Sequence, residues 1–170
     1  MNWILLISVA FLLLIGLSDI KARQIPIVLL LGETVISFCL GYHLIGTLIM
    51  MNTLTNFAII GFQMLILWVW IKIKTDKTGE SLWSKFGKGD LFMLAILAIN
   101  LSALNYLFLT IIVSSASIIL WLGISTIRKI KDQTIPFAGF LAAGLMIIRI
   151  LQMTGDRIVF YSDSYIFKLF

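Results

Sequence analysis

Two aspartates stand where carboxylates can work together. Asp19 closes the first apolar run of the chain, and Asp90 opens a later one, in Gly87-Lys88-Gly89-Asp90. A carboxylate at membrane depth is costly unless it is paired, protonated or used in function, and two at matching run ends suggest one shared site. Carboxylates brought close cannot both ionise easily, so the pair holds one proton near neutral pH. One member then deprotonates a water while the other protonates a scissile carbonyl oxygen. That is aspartic-peptidase chemistry, and it needs no metal and no nucleophilic side chain. Gly87 and Gly89 fit this role, because glycine lets backbone approach an extended peptide closely.

The elements that must carry these residues are apolar throughout. The chain has 170 residues, of which 61% are hydrophobic and 12% charged, with a mean hydropathy of +1.08. This excludes an ordinary soluble domain. The length suits one compact unit, 1–170, and six spans of about 20 residues nearly use it up. The expected spans are 2–18, 25–42, 53–71, 90–103, 107–127 and 135–153, with an aromatic, mixed-charge tail over 154–170 at the membrane interface. Pro26 suits the first turn of the second span, and Asn105 and Tyr106 suit a tight turn before the fifth. Residues 2–18 read as a retained first span, since no basic segment or small-residue cleavage site marks a removed signal. The fold class is therefore an all-α membrane protein, a six-transmembrane-helix bundle.

Charge orients the bundle. The segments 19–24, 72–89 and 128–133 hold 10 of the 13 Lys and Arg residues, and the 43–52 loop holds none. Basic loops stay in the cytoplasm, which places the N-terminus and C-terminus outside and both aspartates on the cytoplasmic face. The net charge of +5 has no soluble surface from which to bind nucleic acid. Cys39 is the single cysteine, so there is no disulfide framework or cysteine zinc site. His43 reads as an outer-loop residue without metal-ligand spacing. No metal and no cofactor is expected.

Three segments, in order and each at an expected membrane edge, carry a resemblance to a known family. They are Asp19-Ile20-Lys21-Ala22-Arg23-Gln24-Ile25-Pro26, then Gly87-Lys88-Gly89-Asp90, then Ile135-Pro136-Phe137-Ala138-Gly139-Phe140-Leu141-Ala142-Ala143-Gly144. The chain resembles the prepilin peptidases, GxGD-type membrane aspartic peptidases of bacteria and archaea, over their peptidase domain. The resemblance implies Asp19 and Asp90 as the catalytic pair. It implies cleavage of basic leader peptides from type IV prepilin-like proteins at the cytoplasmic side of a prokaryotic plasma (inner) membrane. Larger relatives carry a methyltransferase module with paired cysteines, and nothing like it is present here, so no methyl transfer is expected. Where the family often has a lysine two residues after the second aspartate, this chain has Phe92.

The other polar residues receive secondary expectations. Lys21, Arg23 and Lys88 set topology first, and also stand where they can steady an ionised carboxylate. Glu33, roughly 12 Å into the second span at 1.5 Å per residue, is read in two ways: a contact for a basic or polar substrate group, or a protonated packing residue. Pro136 and Gly139 shape the start of the last span. Arg149 and Arg157 are expected to snorkel outward, and the 72–89 loop to be the most mobile segment. Two rival readings remain open: a small proton- or cation-coupled transporter using Asp19, Glu33 and Asp90, or an inactive pilin-assembly subunit.

Overall fold

The computed structural model describes residues 2–75, 87–128, 135–155 and 159–163, and these are all helix and short connections. Six α-helices follow in order: α1 (Asn2–Ala22), α2 (Ile27–Ile45), α3 (Leu48–Thr75), α4 (Lys88–Asn100), α5 (Ala103–Arg128) and α6 (Phe137–Thr154). A 3-10 turn, Val159–Tyr161, follows. All except α4 are long and apolar enough to cross a membrane. Their outward faces carry large apolar side chains such as Phe62, Trp70 and Ile119, as lipid contact requires.

The 13-residue α4 is the hub. Met93, Leu94, Ile96, Leu97, Ala98 and Ile99 are all buried, so this helix is apolar around its circumference and enclosed by others. It packs against α2, α3 and α6, while α1 and α6 pack against each other along their length. The α1–α6 crossing is made by small residues: a Cβ placed on Gly139 would lie 3.4 Å from the Gly16 carbonyl oxygen. Without hydrophobic force between helices in lipid, such close backbone approach is a main source of association.

Several element bounds differ from those read from sequence. The expected loop at 43–52 is only a two-residue turn between Ile45 and Leu48, and α3 continues to Thr75. Asn52, expected to end that loop, lies inside α3, as does Asn56. Asn52 donates to the Tyr161 carbonyl (3.1 Å), and the buried Asn56 donates to the Ala98 and Leu101 carbonyls (2.9 and 2.7 Å). Those two carbonyls lie at the end of α4, where no intrahelical donor reaches them. The turn expected at Asn105–Tyr106 falls instead at Leu101–Ser102, and α4 stops at Asn100 rather than running to residue 103. His43 belongs to the last turn of α2.

Part of the expected interfacial tail is packed. Ser102 and Asn105 donate to the Phe160 carbonyl (3.0 and 3.2 Å), Leu104 donates its backbone N–H to Asp163 (3.1 Å), and Tyr161 is buried. Residues 159–163 thus fill the space beneath the short α4. Arg157 and most of the 72–89 loop lie outside the described residues.

Candidate functional site

The site is assembled where α1 ends, α4 begins and α6 begins. α1 ends at a left-handed residue, Arg23, with φ of 53°, whose amide donates to the Asp19 carbonyl (3.1 Å). This turn stops α1 and leaves the Asp19 side chain on the face toward α6. Pro136 immediately precedes α6 and so fixes where its first turn lies. The first-turn amides of a helix have no intrahelical acceptor and sit at the positive end of its dipole.

Two consecutive amides of that turn each take one aspartate. Gly139 N–H donates to Asp19 Oδ2 at 2.7 Å, and Ala138 N–H donates to Asp90 Oδ1 at 2.8 Å. Neighbouring amides of one helical turn therefore bring the carboxylates of α1 and α4 together. The distances are those of charge-assisted bonds. Asp90 Oδ2 also accepts from Gly87 N–H (3.3 Å), closing the start of α4 on itself. Asp19 Oδ1 accepts no hydrogen bond from the described residues.

The glycines are explained by this crowding. A Cβ on Gly87 would come within 2.9 Å of Asp90 Oδ2, and one on Gly139 within 3.2 Å of Asp19 Oδ2. A side chain at either position requires the carboxylate to move. Gly89 meets only the flexible tip of Ile25, at 3.0 Å, so its constraint is weaker.

Asp19 is 8% exposed, and Asp90 is half-buried. Asp90 lies on the first turn of α4, at the end of the bundle. Burial pushes its carboxyl up to about 6; the amide of Ala138 opposes this, the charge of Asp19 adds to it, and the Gly87 amide and Arg23 oppose it. Below about pH 6, therefore, Asp90 holds a proton beside Asp19.

The supporting residues separate into two groups. Lys21 and Lys88 are exposed. Arg23 is exposed too, with its guanidinium carbon 4.7 Å from the ring centre of Trp121 on α5, and it acts on both carboxylates through its charge. Glu33 is elsewhere. Its Oε1 accepts from Ser8 on α1 (2.7 Å) and from Ser37 (3.1 Å), and Ser8 is eleven residues, about 16 Å, along α1 from Asp19. Arg149 Nη2 lies 3.6 Å from Glu33 Oε1, and both side chains are wholly buried.

The expectation that Arg149 snorkels outward is therefore wrong. A guanidinium at this depth is stabilised inside by bonds to Ser8, Ser37, Asn100 and Gln152 (2.6–3.1 Å). Sequence reading assigned no direct role to the amides of Ala138 and Gly139. The available signal was Pro136, because a proline at a helix start announces free amides just beyond it. Among the described residues, no three His, Cys, Asp or Glu side chains cluster as metal ligands.

The arrangement defines a class by its chemistry: a carboxylate pair, Asp19 buried and Asp90 half-buried, held by a helix N-terminus at one end of a bundle that is helical throughout its described residues, with five candidate membrane-spanning helices among them. Comparison with known protein families, curated proteins and solved structures finds no match.

Proposed function

We propose that this chain is a multi-pass membrane aspartic endopeptidase resembling the prepilin peptidases. It cleaves basic leaders from type IV prepilin-like substrates at the cytoplasmic face of a prokaryotic plasma membrane. The observation that carries the reading is the pair of adjacent amides, Ala138 and Gly139, holding one oxygen from each aspartate. Asp90 keeps its proton to about pH 6 and donates it to the scissile carbonyl oxygen. Asp19 uses its free Oδ1 to take a proton from the attacking water. The carbonyl carbon gains the hydroxyl oxygen, the tetrahedral species collapses, and the leaving amine takes up a proton from the dyad.

The chain crosses the membrane six times in this reading, with both termini outside and the basic segments in the cytoplasm. The short α4 completes its crossing with the Leu101–Ser102 turn and residues 159–163. The substrate's apolar helix lies in lipid against the bundle, which sets its leader junction beside Asp19 and Asp90. The exposed cations around the site, Lys21, Arg23 and Lys88, serve topology, and the buried anionic pair favours a basic leader. The chain cleaves without methylating. The deciding assay incubates membranes containing the chain with a candidate prepilin, comparing wild type with Asp19→Ala and Asp90→Ala. Loss of leader removal in both variants is expected; cleavage by either variant at the wild-type rate refutes the dyad.

A further inference from the structure

The buried Arg149 network ties together the same three helices that build the carboxylate site. Ser8 is on α1, Asn100 on α4 and Arg149 on α6, and all three are fully enclosed. Arg149 Nε donates to Ser8 Oγ (3.0 Å), and Nη2 donates to Asn100 Oδ1 (2.6 Å) and Ser37 Oγ (3.0 Å). Asn100 Nδ2 donates to Ser37 Oγ (2.9 Å). Glu33 and Ser37 add α2, and Glu33 supplies the countercharge.

The spacings match. Ser8 precedes Asp19 by eleven residues, Asn100 follows Asp90 by ten, and Arg149 follows Gly139 by ten. At 1.5 Å per residue this puts the network about 15–16 Å from the carboxylates along each of the three helices. The bundle therefore has two polar layers, each joining α1, α4 and α6. Between them lie apolar side chains such as Leu12, Ile15, Ile96, Leu97, Leu141 and Leu145.

Apolar contacts slide and rotate at small cost, and lipid supplies no hydrophobic force to restore a helix that has slipped. One polar layer fixes each helix at a point, whereas two fix its height and its rotation. We infer that Arg149 and Glu33 are positioning residues: their network sets the register of α1, α4 and α6, so that Asp19 and Asp90 reach adjacent amides of α6. Buried ionic groups have been found to supply this kind of specificity, with little net stability, in some proteins. The inference rests on the peptidase reading for its kinetic arm only.

The test uses the full chain in lipid nanodiscs and the double variant Glu33→Gln with Arg149→Met, which removes both charges and roughly keeps their volume. Infrared titration of the Asp90 carboxyl, assigned by its loss in Asp90→Asn, reads site geometry without substrate. The expected result is a folded double variant whose Asp90 midpoint falls from about 6 toward the ordinary aspartate value. Its kcat falls at least about tenfold with KM within about twofold. An unchanged midpoint in the folded double variant overturns the inference. So does an equal shift in Asn56→Ala, which loosens the bundle without touching the network. Should the double variant not fold, Ser8→Ala decides: a smaller shift in the same direction supports the inference, and none overturns it. If wild type cleaves no prepilin yet the midpoint moves in the double variant, the peptidase reading fails and the positioning role stands.

Discussion

Each carboxylate of the candidate site has its own backbone amide, and this separates the two aspartates from ordinary helix-end residues. Replacing either by asparagine keeps the shape but removes the ability to give or take a proton, a contribution worth about 10²–10⁴ in rate. Asp19→Asn and Asp90→Asn are expected to fold, as read by circular dichroism, and to lose prepilin cleavage by at least that factor. Gly139→Ala tests the geometry rather than the chemistry. Its Cβ would sit 3.2 Å from Asp19 Oδ2 and 3.4 Å from the Gly16 carbonyl, so Asp19 must shift. A loss on the order of 10–100-fold in cleavage is expected from so small a displacement, and an unaltered rate removes the close-approach argument. Acidity gives a further check at this scale. The folded-state value for Asp90 is raised to about 6, so its protonated form stabilises the fold fully below the ordinary aspartate value. That contribution is lost as pH rises through about 6. Under the proposed reading, wild-type cleavage and thermal stability are both expected to fall over this interval, whereas the stability of Asp90→Asn is expected to be flatter. A wild-type thermal profile parallel to that of Asp90→Asn contradicts the assignment.

At the scale of the elements, what the sequence made legible and what it hid follow from one distinction. Apolar runs and their Pro and Gly punctuation located the six α-helices of the described residues, because hydropathy and turn chemistry are local properties. Polar residues inside helices misled. Asn52 and Asn105 read as a loop end and a turn, and Asn56 as one more residue of a span, yet all three cap carbonyls belonging to other elements. Arg149 read as a snorkelling residue, yet its partners come from α1, α2, α4 and its own helix. No local pattern announces a partner 112 or 141 positions away. The convergence of Asp19 and Asp90 was legible because each borders an apolar run beside a Gly or Pro signal; the amides holding them were not, since backbone leaves no mark in composition. Asn56 offers the element-scale prediction. Asn56→Ala leaves the Ala98 and Leu101 carbonyls at the end of α4 without that donor, at about 1–3 kcal/mol for an unsatisfied buried group. Thermal unfolding in detergent should show the loss, with the dyad's titration unchanged. A variant as stable as wild type means that water or lipid headgroups replace the amide.

For the whole molecule, the decisive question is which way the bundle faces. The carboxylate pair lies at the end of the bundle where α1 finishes and α4 and α6 begin, and the turn between α2 and α3 lies at the other. The first end carries Lys21, Arg23 and Lys88, whereas the two-residue turn between α2 and α3 at the second end is Gly46-Thr47, with no Lys or Arg. Basic residues are retained in the cytoplasm, so the proposed reading expects the site to face inward, toward the leader that the proposed reaction removes. Cysteine labelling in intact cells reads this directly in a Cys39→Ser background. Thr47 is exposed, and Thr47→Cys is expected to react with a membrane-impermeant maleimide added outside. Lys21→Cys, also exposed, is expected to react only after permeabilisation. The reverse pattern would place Asp19 and Asp90 on the outer face. It would also separate them from a cytoplasmic prepilin leader, leaving the carboxylate geometry intact but the proposed substrate out of reach.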